Sequence, residues 1–282
     1  MAADNFDLIS IPLRIRFQGK KLVDGRNVPW QDRASCSRFP GPRCAGPPNS
    51  IDSIQSAMPG LQREEATKHK ADAAEFVPKK HELTVLRRAV QDCRGCELYR
   101  DATQAVFGER MEGAKTSRKA QIVMVGEQPG DKEDLAGHPF VGPAGKLLAQ
   151  CMHEAGLDPG QVYITNAVKH FKWEPRGKIR LHKKPSVKEI RACKPWFDAE
   201  LDAVQPRLII CLGATAAQSL LGAAFRVSQH RGEPQTAEGL PAVIATGHPA
   251  SVLRARTDEE RQQQKADFIA DLHRANEFLQ SI

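Results

Sequence analysis

The chain has 282 residues, 40% of them hydrophobic, and its 41 Lys and Arg outnumber 34 Asp and Glu for a formal charge of +7. That length holds one α/β domain of ordinary size with an appendage, and the positive balance favours an anionic partner, nucleic acid first. No run approaches the roughly 20 apolar residues that cross a bilayer, and the N-terminus lacks the charged-then-apolar order of a signal peptide, so a membrane protein is excluded and a soluble, cytoplasmic one expected.

Residues 1–78 read as a largely disordered extension, because "FPGPRCAGPPNSIDSIQSAMPG" (39–60) is rich in Pro, Gly and Ser without a sustained period of 2 or 3.6. Within it "FDLISIPLRIRF" (6–17) alternates like a strand but has no partner nearby. Residues 79–282 form the domain. "HELTVLRRAVQDC" (81–93) places Leu83, Leu86 and Val90 on one helical face. Four β-rich runs follow, at 121–127, 162–168, 207–213 and 242–248, separated by helical segments at 142–156, 186–203 and 213–221 and closed by an apolar stripe of Phe268, Leu272, Ala275 and Leu279 at 258–280. This alternation predicts a parallel sheet covered on both faces, whose ligand lies beyond the carboxyl ends of the strands. Polar residues stand at those ends: Glu127, Gln128 and Asp131 after the first strand, Asn166 late in the second, His248 after the fourth.

"GEQPGDKEDLAGHPFVGPAGKLL" (126–148) leaves a buried strand through glycines and prolines that force an irregular loop. A surface loop would use the same turn residues; a pocket wall would use Glu127, Gln128 and Asp131 as acceptors and an amide, and Phe140 as a flat apolar face. An Asn at a strand end often only caps a turn, and "HPAS" (248–251) reads as the start of a helix with Pro249 at its first position. Between residues 169 and 194 there are ten Lys or Arg against two Glu, and "KWEPRGKIRLHKKPS" (172–186) reads as a basic loop carrying one histidine, His182, ahead of a capping box at Ser186 and Glu189. Seven cysteines in such a chain point to metal binding, catalysis or burial before disulfides. "CRGC" (93–96) has cluster or zinc spacing but supplies only two ligands.

Together, 126–148, "YITNAVKHFKW" (163–173) and "GHPAS" (247–251) resemble the uracil-DNA glycosylase superfamily, in its iron–sulfur branch (family 4 and related types), and most closely its family X type (UdgX), over about residues 80–280. The resemblance implies a three-layer α/β/α fold around a four-stranded parallel sheet. It also implies a flipped uracil, because a base inside a duplex cannot be reached. Phe140 would stack on it; Gln128, Asp131 and Asn166 would read it, the Asn amide both donating and accepting; His248 would bond the uracil oxygen where negative charge develops.

The family X type carries a basic loop, Lys-Arg-Arg-Ile-His, matched here by Lys178, Ile179, Arg180, Leu181 and His182. Its histidine captures the sugar cation at C1′ and leaves a covalent protein–DNA adduct, with Glu127 expected to orient or deprotonate it. Ile179 departs from the pattern and removes one phosphate contact; Lys178, Arg180, Lys183 and Lys184 are the expected DNA contacts. The resemblance further implies a [4Fe–4S] cluster on Cys93, Cys96, His170 and Cys193, although zinc would accept the same ligands. The expected partner is uracil-containing DNA, single strands preferred, bound by a monomer. Two rivals stay open: a multiple-turnover glycosylase that uses water, and a non-catalytic nucleic-acid binding protein.

Overall fold

The computed structural model describes residues 72–111 and 119–282. The strand-like run at 6–17 and Cys36 and Cys44 lie outside the described residues. Ala73, N-terminal of the boundary expected at 78, is buried among Leu86, Val90 and Trp196, and its N–H donates to Ala192 O at 2.9 Å.

In chain order, α1 (Leu83–Ala89) is followed by the short β1 (Glu109–Arg110) and by β2 (Ile122–Gly126), α2 (Asp131–Ala136) and α3 (Pro143–Glu154). Then come β3 (Val162–Asn166), β4 (Trp173–Arg176), β5 (Ile179–His182) and α4 (Val187–Val204). β6 (Leu208–Leu212), α5 (Ala214–Leu221), α6 (Val227–His230), β7 (Pro234–Gln235), β8 (Ala242–Thr246), α7 (Pro249–Leu253) and α8 (Asp258–Ser281) complete the chain. The main sheet runs β1-β3-β2-β6-β8-β7. Its four central strands are parallel, as the sequence predicts, and the two-residue strands β1 and β7 extend its edges antiparallel.

The pleat sorts alternate residues to opposite faces. Ile122 and Met124 pack with Leu148, Met152, Phe268 and Leu272 from α3 and α8, while Val123 and Val125 pack with Phe197 and Ala216 from α4 and α5. Both faces are therefore covered, which gives the three layers. Among the described residues no helix is long and apolar enough to cross a membrane.

The basic segment 172–186 is not a loop. β4 and β5 pair antiparallel, with Trp173 opposite His182 and Arg176 opposite Ile179. The two-residue turn between them puts Gly177 at φ 60°, a conformation that costs glycine little and suits a tight hairpin. The expected capping box then starts α4: Glu189 N donates to Ser186 Oγ at 3.3 Å, and Ser186 N donates to Glu189 Oε2 at 2.5 Å.

Beneath the end of β3 lies a wholly buried ion pair. Lys169 Nζ donates to Glu200 Oε2, to Thr165 Oγ1 at 2.8 Å and to Asn166 O at 2.7 Å, and Glu200 Oε1 accepts from Gly108 N at 2.9 Å and the Tyr163 hydroxyl at 3.0 Å. Every polar atom of the pair is satisfied, which makes it costly to break. Lys169→Met is expected to cost about 3–5 kcal/mol because it leaves a buried carboxylate unpaired; the drop in melting temperature is the readout, and Lys169→Met combined with Glu200→Gln should recover part of it.

Candidate active site

A cleft of about 500 Å3 opens at the carboxyl ends of β2, β3, β6 and β8. Glu127, Gln128, Phe140, Asn166, His182 and His248, all singled out in the sequence, line it together. Glu133, Thr215 and Arg254 line it too and were not singled out.

The floor depends on two glycines. Gly126 pairs with Asn166 across β2 and β3, and a methyl group there would collide with Asn166 Oδ1 and the Phe140 ring. Phe140 holds the left-handed backbone conformation at φ 56°, a strain of order 1 kcal/mol for a side chain with a Cβ. Gly145 permits it, since a Cβ there would overlap the Phe140 carbonyl. Glu133 braces the same loop: its Oε1 accepts from Gly142 N at 2.7 Å and its Oε2 from Gly130 N at 3.1 Å. No motif marks Glu133, whose value lies in reaching two loop amides at once.

His248 is both a cap and a cleft residue. Its Nδ1 accepts from Ala250 N at 3.1 Å at the start of α7, so the remaining proton sits on Nε2, which can only donate. The ring stacks on Phe140 with centroids 6.3 Å apart and planes at 29°. Burial, aided by the charges of Arg254 and His182, lowers its pKa to about 4. It is therefore a neutral imidazole at neutral pH, presenting an N–H.

The hairpin brings His182 to the cleft wall. His182 Nε2 lies 2.9 Å from Gln128 Nε2 and 3.7 Å from Glu127 Oε1. Gln128 Oε1 accepts from Lys172 N, while Gln128 Nε2 reaches Lys172 O and Lys183 O, each at 3.1 Å. These three backbone contacts settle which end of the amide is which. The amide nitrogen donates, so Nε2 of His182 accepts and carries the lone pair. Gln128, expected to read the base, is nearly buried and clamps the foot of the hairpin.

Strand alternation puts Arg180 on the same face as His182, and Arg180 is ion-paired there. It donates from Nε to Asp131 Oδ1 and from Nη1 to Asp134 Oδ2, both at 2.6 Å, and lies over the Phe171 and Trp173 rings at 5.5 Å. Asp131, expected at the uracil, is instead its partner and stands outside the cleft lining. The reason is charge pairing: the buried Asp134 demands a cation, and the hairpin supplies it. Lys183 pairs across the hairpin with Glu174 at 2.9 Å. Lys178 and Lys184 are exposed and have no ion-pair partner among the described residues.

Cys93, Cys96 and Cys193 belong to one packed cluster under α1 and α4. The Trp196 indole N–H donates to Cys93 Sγ at 3.1 Å and the Lys169 N–H to Cys193 Sγ at 3.3 Å. Burial pushes the Cys193 thiol up to about 12, and the other two thiols feed that rise as neighbours. His170 is buried, and burial lowers its pKa to about 4 against the opposing negative charge of Asp134. Its neutral ring suits a ligand. Among the described residues no three His, Cys, Asp or Glu side chains are drawn into one coordination shell.

A sequence model of the uracil DNA glycosylase superfamily matches residues 114–273. The Type-4 uracil-DNA glycosylase of Thermotoga maritima is 33% identical over 198 residues, 70% of this chain and 94% of that protein. Its counterpart from Archaeoglobus fulgidus is 37% identical over 188 residues, 64% of this chain and 87% of that one. The Type-5 uracil-DNA glycosylase of Thermus thermophilus is 34% identical over 118 residues, 36% of this chain and half of its own length. With a superfamily match across more than half its length, and its cleft built at the strand ends from the residues that the motifs supply, the chain belongs to the uracil DNA glycosylase superfamily.

Proposed function

We propose that this chain excises uracil from DNA and then joins itself to the abasic sugar through His182. The observation that carries the second step is the position of His182 Nε2 on the cleft wall, fixed by the Gln128 amide at 2.9 Å with the Glu127 carboxylate 3.7 Å away. The uracil occupies the cleft in its extruded form, at a cost of a few kcal/mol in a duplex and less in a single strand, which the chain therefore prefers. Phe140 stacks on the ring and the buried Asn166 pairs with its edge. The C1′–N1 bond breaks with its electron pair on the uracil, and the Nε2–H of neutral His248 donates to the oxygen that takes up this charge.

The sugar is left as an oxocarbenium ion. The Gln128 N–H, which keeps the Lys172 and Lys183 carbonyls as acceptors, lets go of His182 Nε2; the freed lone pair bonds to C1′, and the alkylated ring is an imidazolium paired with Glu127 until its Nδ1 proton passes to solvent. Buried thiols that receive N–H donors, and a neutral buried imidazole one residue along the chain from the Lys169 N–H that bonds Cys193, suit an iron–sulfur cluster in their chemistry. Cys93, Cys96, His170 and Cys193 are the residues that would hold it, tying together the two chain segments that flank the hairpin. The monomer acts alone.

A second reading has water in place of His182 and ordinary turnover; the 50% exposure of the His182 side chain, which lets water in, favours it. Incubation with single-stranded uracil-containing DNA, followed by a denaturing gel, separates the two. A slow, heat-stable protein–DNA band is expected, and free abasic product without that band would leave only the second reading. Iron and acid-labile sulfide should co-purify with the native chain and be lost in Cys193→Ala.

A further inference from the structure

A second cavity, of about 310 Å3, lies between α4 and α5. Val187, Ile190 and Leu220 line it with apolar surface, and Lys184, Arg191 and Lys194 stand exposed along it. It adjoins the main cleft, as shared and neighbouring lining residues show. Thr215 lines both cavities, Asn166 lines one and its neighbour Ala167 the other, and His182 and Lys184 divide in the same way.

The charge around it is one-sided. No carboxylate lines the cavity. Lys194 is paired with Asp198 at 2.6 Å, but Lys184 and Arg191 have no ion-pair partner among the described residues. A volume of this order is at the lower end of the range that holds a small organic ligand. An apolar floor under unpaired cations matches a nucleobase with its phosphate, in the way single-strand binders combine a stacking surface with a basic track.

We propose that this groove is a subsite for the nucleotide next to the uracil in a single strand, its base against Val187 and Leu220 and its phosphate between Lys184 and Arg191. The proposal rests on uracil-DNA being the substrate and names where the neighbouring nucleotide goes. Since Thr215 borders both cavities, only one of the two neighbours of the uracil can enter, so the effect must be one-sided.

The test uses the full native chain and a fluorescent single-stranded oligonucleotide whose central 2′-fluoro-2′-deoxyuridine resists cleavage, because fluorine destabilises the sugar cation. Replacing one neighbouring nucleotide by an abasic analogue is expected to weaken binding on the order of tenfold on one side of the uracil and little on the other. Ser219→Trp, which fills the groove from α5, should bring the intact oligonucleotide down to the abasic affinity and erase the one-sided difference. Arg191→Ala should weaken both oligonucleotides alike and reduce the salt dependence by about one phosphate contact. Equal affinity for intact and abasic neighbours, or full discrimination retained by Ser219→Trp with an unchanged melting temperature, overturns the proposal. So does unchanged DNA affinity in Ser219→Trp together with loss of a self-association of the native chain, since the occupant is then a second copy. Binding that ignores uracil versus thymine while keeping the one-sided dependence would instead sink the glycosylase reading and leave the groove assignment standing.

Discussion

In His182→Ala the covalent protein–DNA band is expected to vanish while uracil is still released. The two steps use different groups: departure of the base draws on Phe140, Asn166 and His248, and capture of the sugar on His182. With the imidazole gone, water enters beside Glu127 and the product is a free abasic site that heat and alkali cleave. A rate of uracil release within about tenfold of native is expected, because the carboxylate remains to activate water, whereas loss of a general base costs 10²–10⁴. If His182→Ala abolished release as well as the band, the histidine would belong to bond breaking and the assigned order of events would fall. A Gln128→Ala variant should weaken the band without removing it, since the amide only holds Nε2 and the foot of the hairpin in place.

Replacing His248 strikes the other step. His248→Asn keeps an acceptor at the start of α7, so the cap that Ala250 N now makes survives, but the N–H aimed at the developing charge is lost. Uracil release should fall by about 10²–10³, the usual effect of removing one preorganised donor, with the melting temperature little changed. Any covalent band should slow in proportion, because capture waits for departure. The pH profile checks the protonation state. With a pKa lowered to about 4 by burial, Arg254 and His182, His248 stays a neutral donor and contributes no inflection between about pH 5 and 8. An inflection near 6.5 that disappears in His248→Asn would show a charged imidazole instead. The same shift bears on stability. The folded pKa lies below the ordinary histidine value of 6.5, so the unfolded chain takes up this proton first, and acidification from about 6.5 toward 4 should destabilise native protein more than His248→Asn.

Much of the domain is legible in the linear chain because its signals are local. Each central strand is a largely apolar run that ends within two residues of where its β-rich pattern does, and Ser186 with Glu189 forms the capping box that their spacing announces. Four of the six cleft residues, Glu127, Gln128, Asn166 and His248, were legible for a related reason: in a parallel sheet, polar residues just past strand ends converge wherever the strands are adjacent; Phe140 was marked by its loop of glycines and prolines, and His182, on the hairpin, by the resemblance of its basic segment to the family X type. Glu133 and Arg254 escaped notice because neither stands in a pattern. One works by spanning two loop amides, the other by the place where α7 happens to end. Segment 172–186 read as a loop because its charges mask a four-residue alternation on either side of Gly177, and a short exposed hairpin buries too little to leave an apolar period.

What the sequence by itself determined, then, is the layered α/β architecture, the strand ends that carry the chemistry, and the set of polar groups from which a cleft could be made. Periods of 2 and 3.6, turn residues and motif spacing are properties of neighbouring residues. What only the tertiary structure decided is which charge meets which. Arg180 pairs with Asp131 and Asp134, 49 and 46 residues away, and Gln128 bonds the foot of the hairpin while lining the cleft. A basic residue is indistinguishable in sequence from any other until folding sets its distance to a carboxylate, and at those distances a buried carboxylate left unpaired costs more than a surface contact returns.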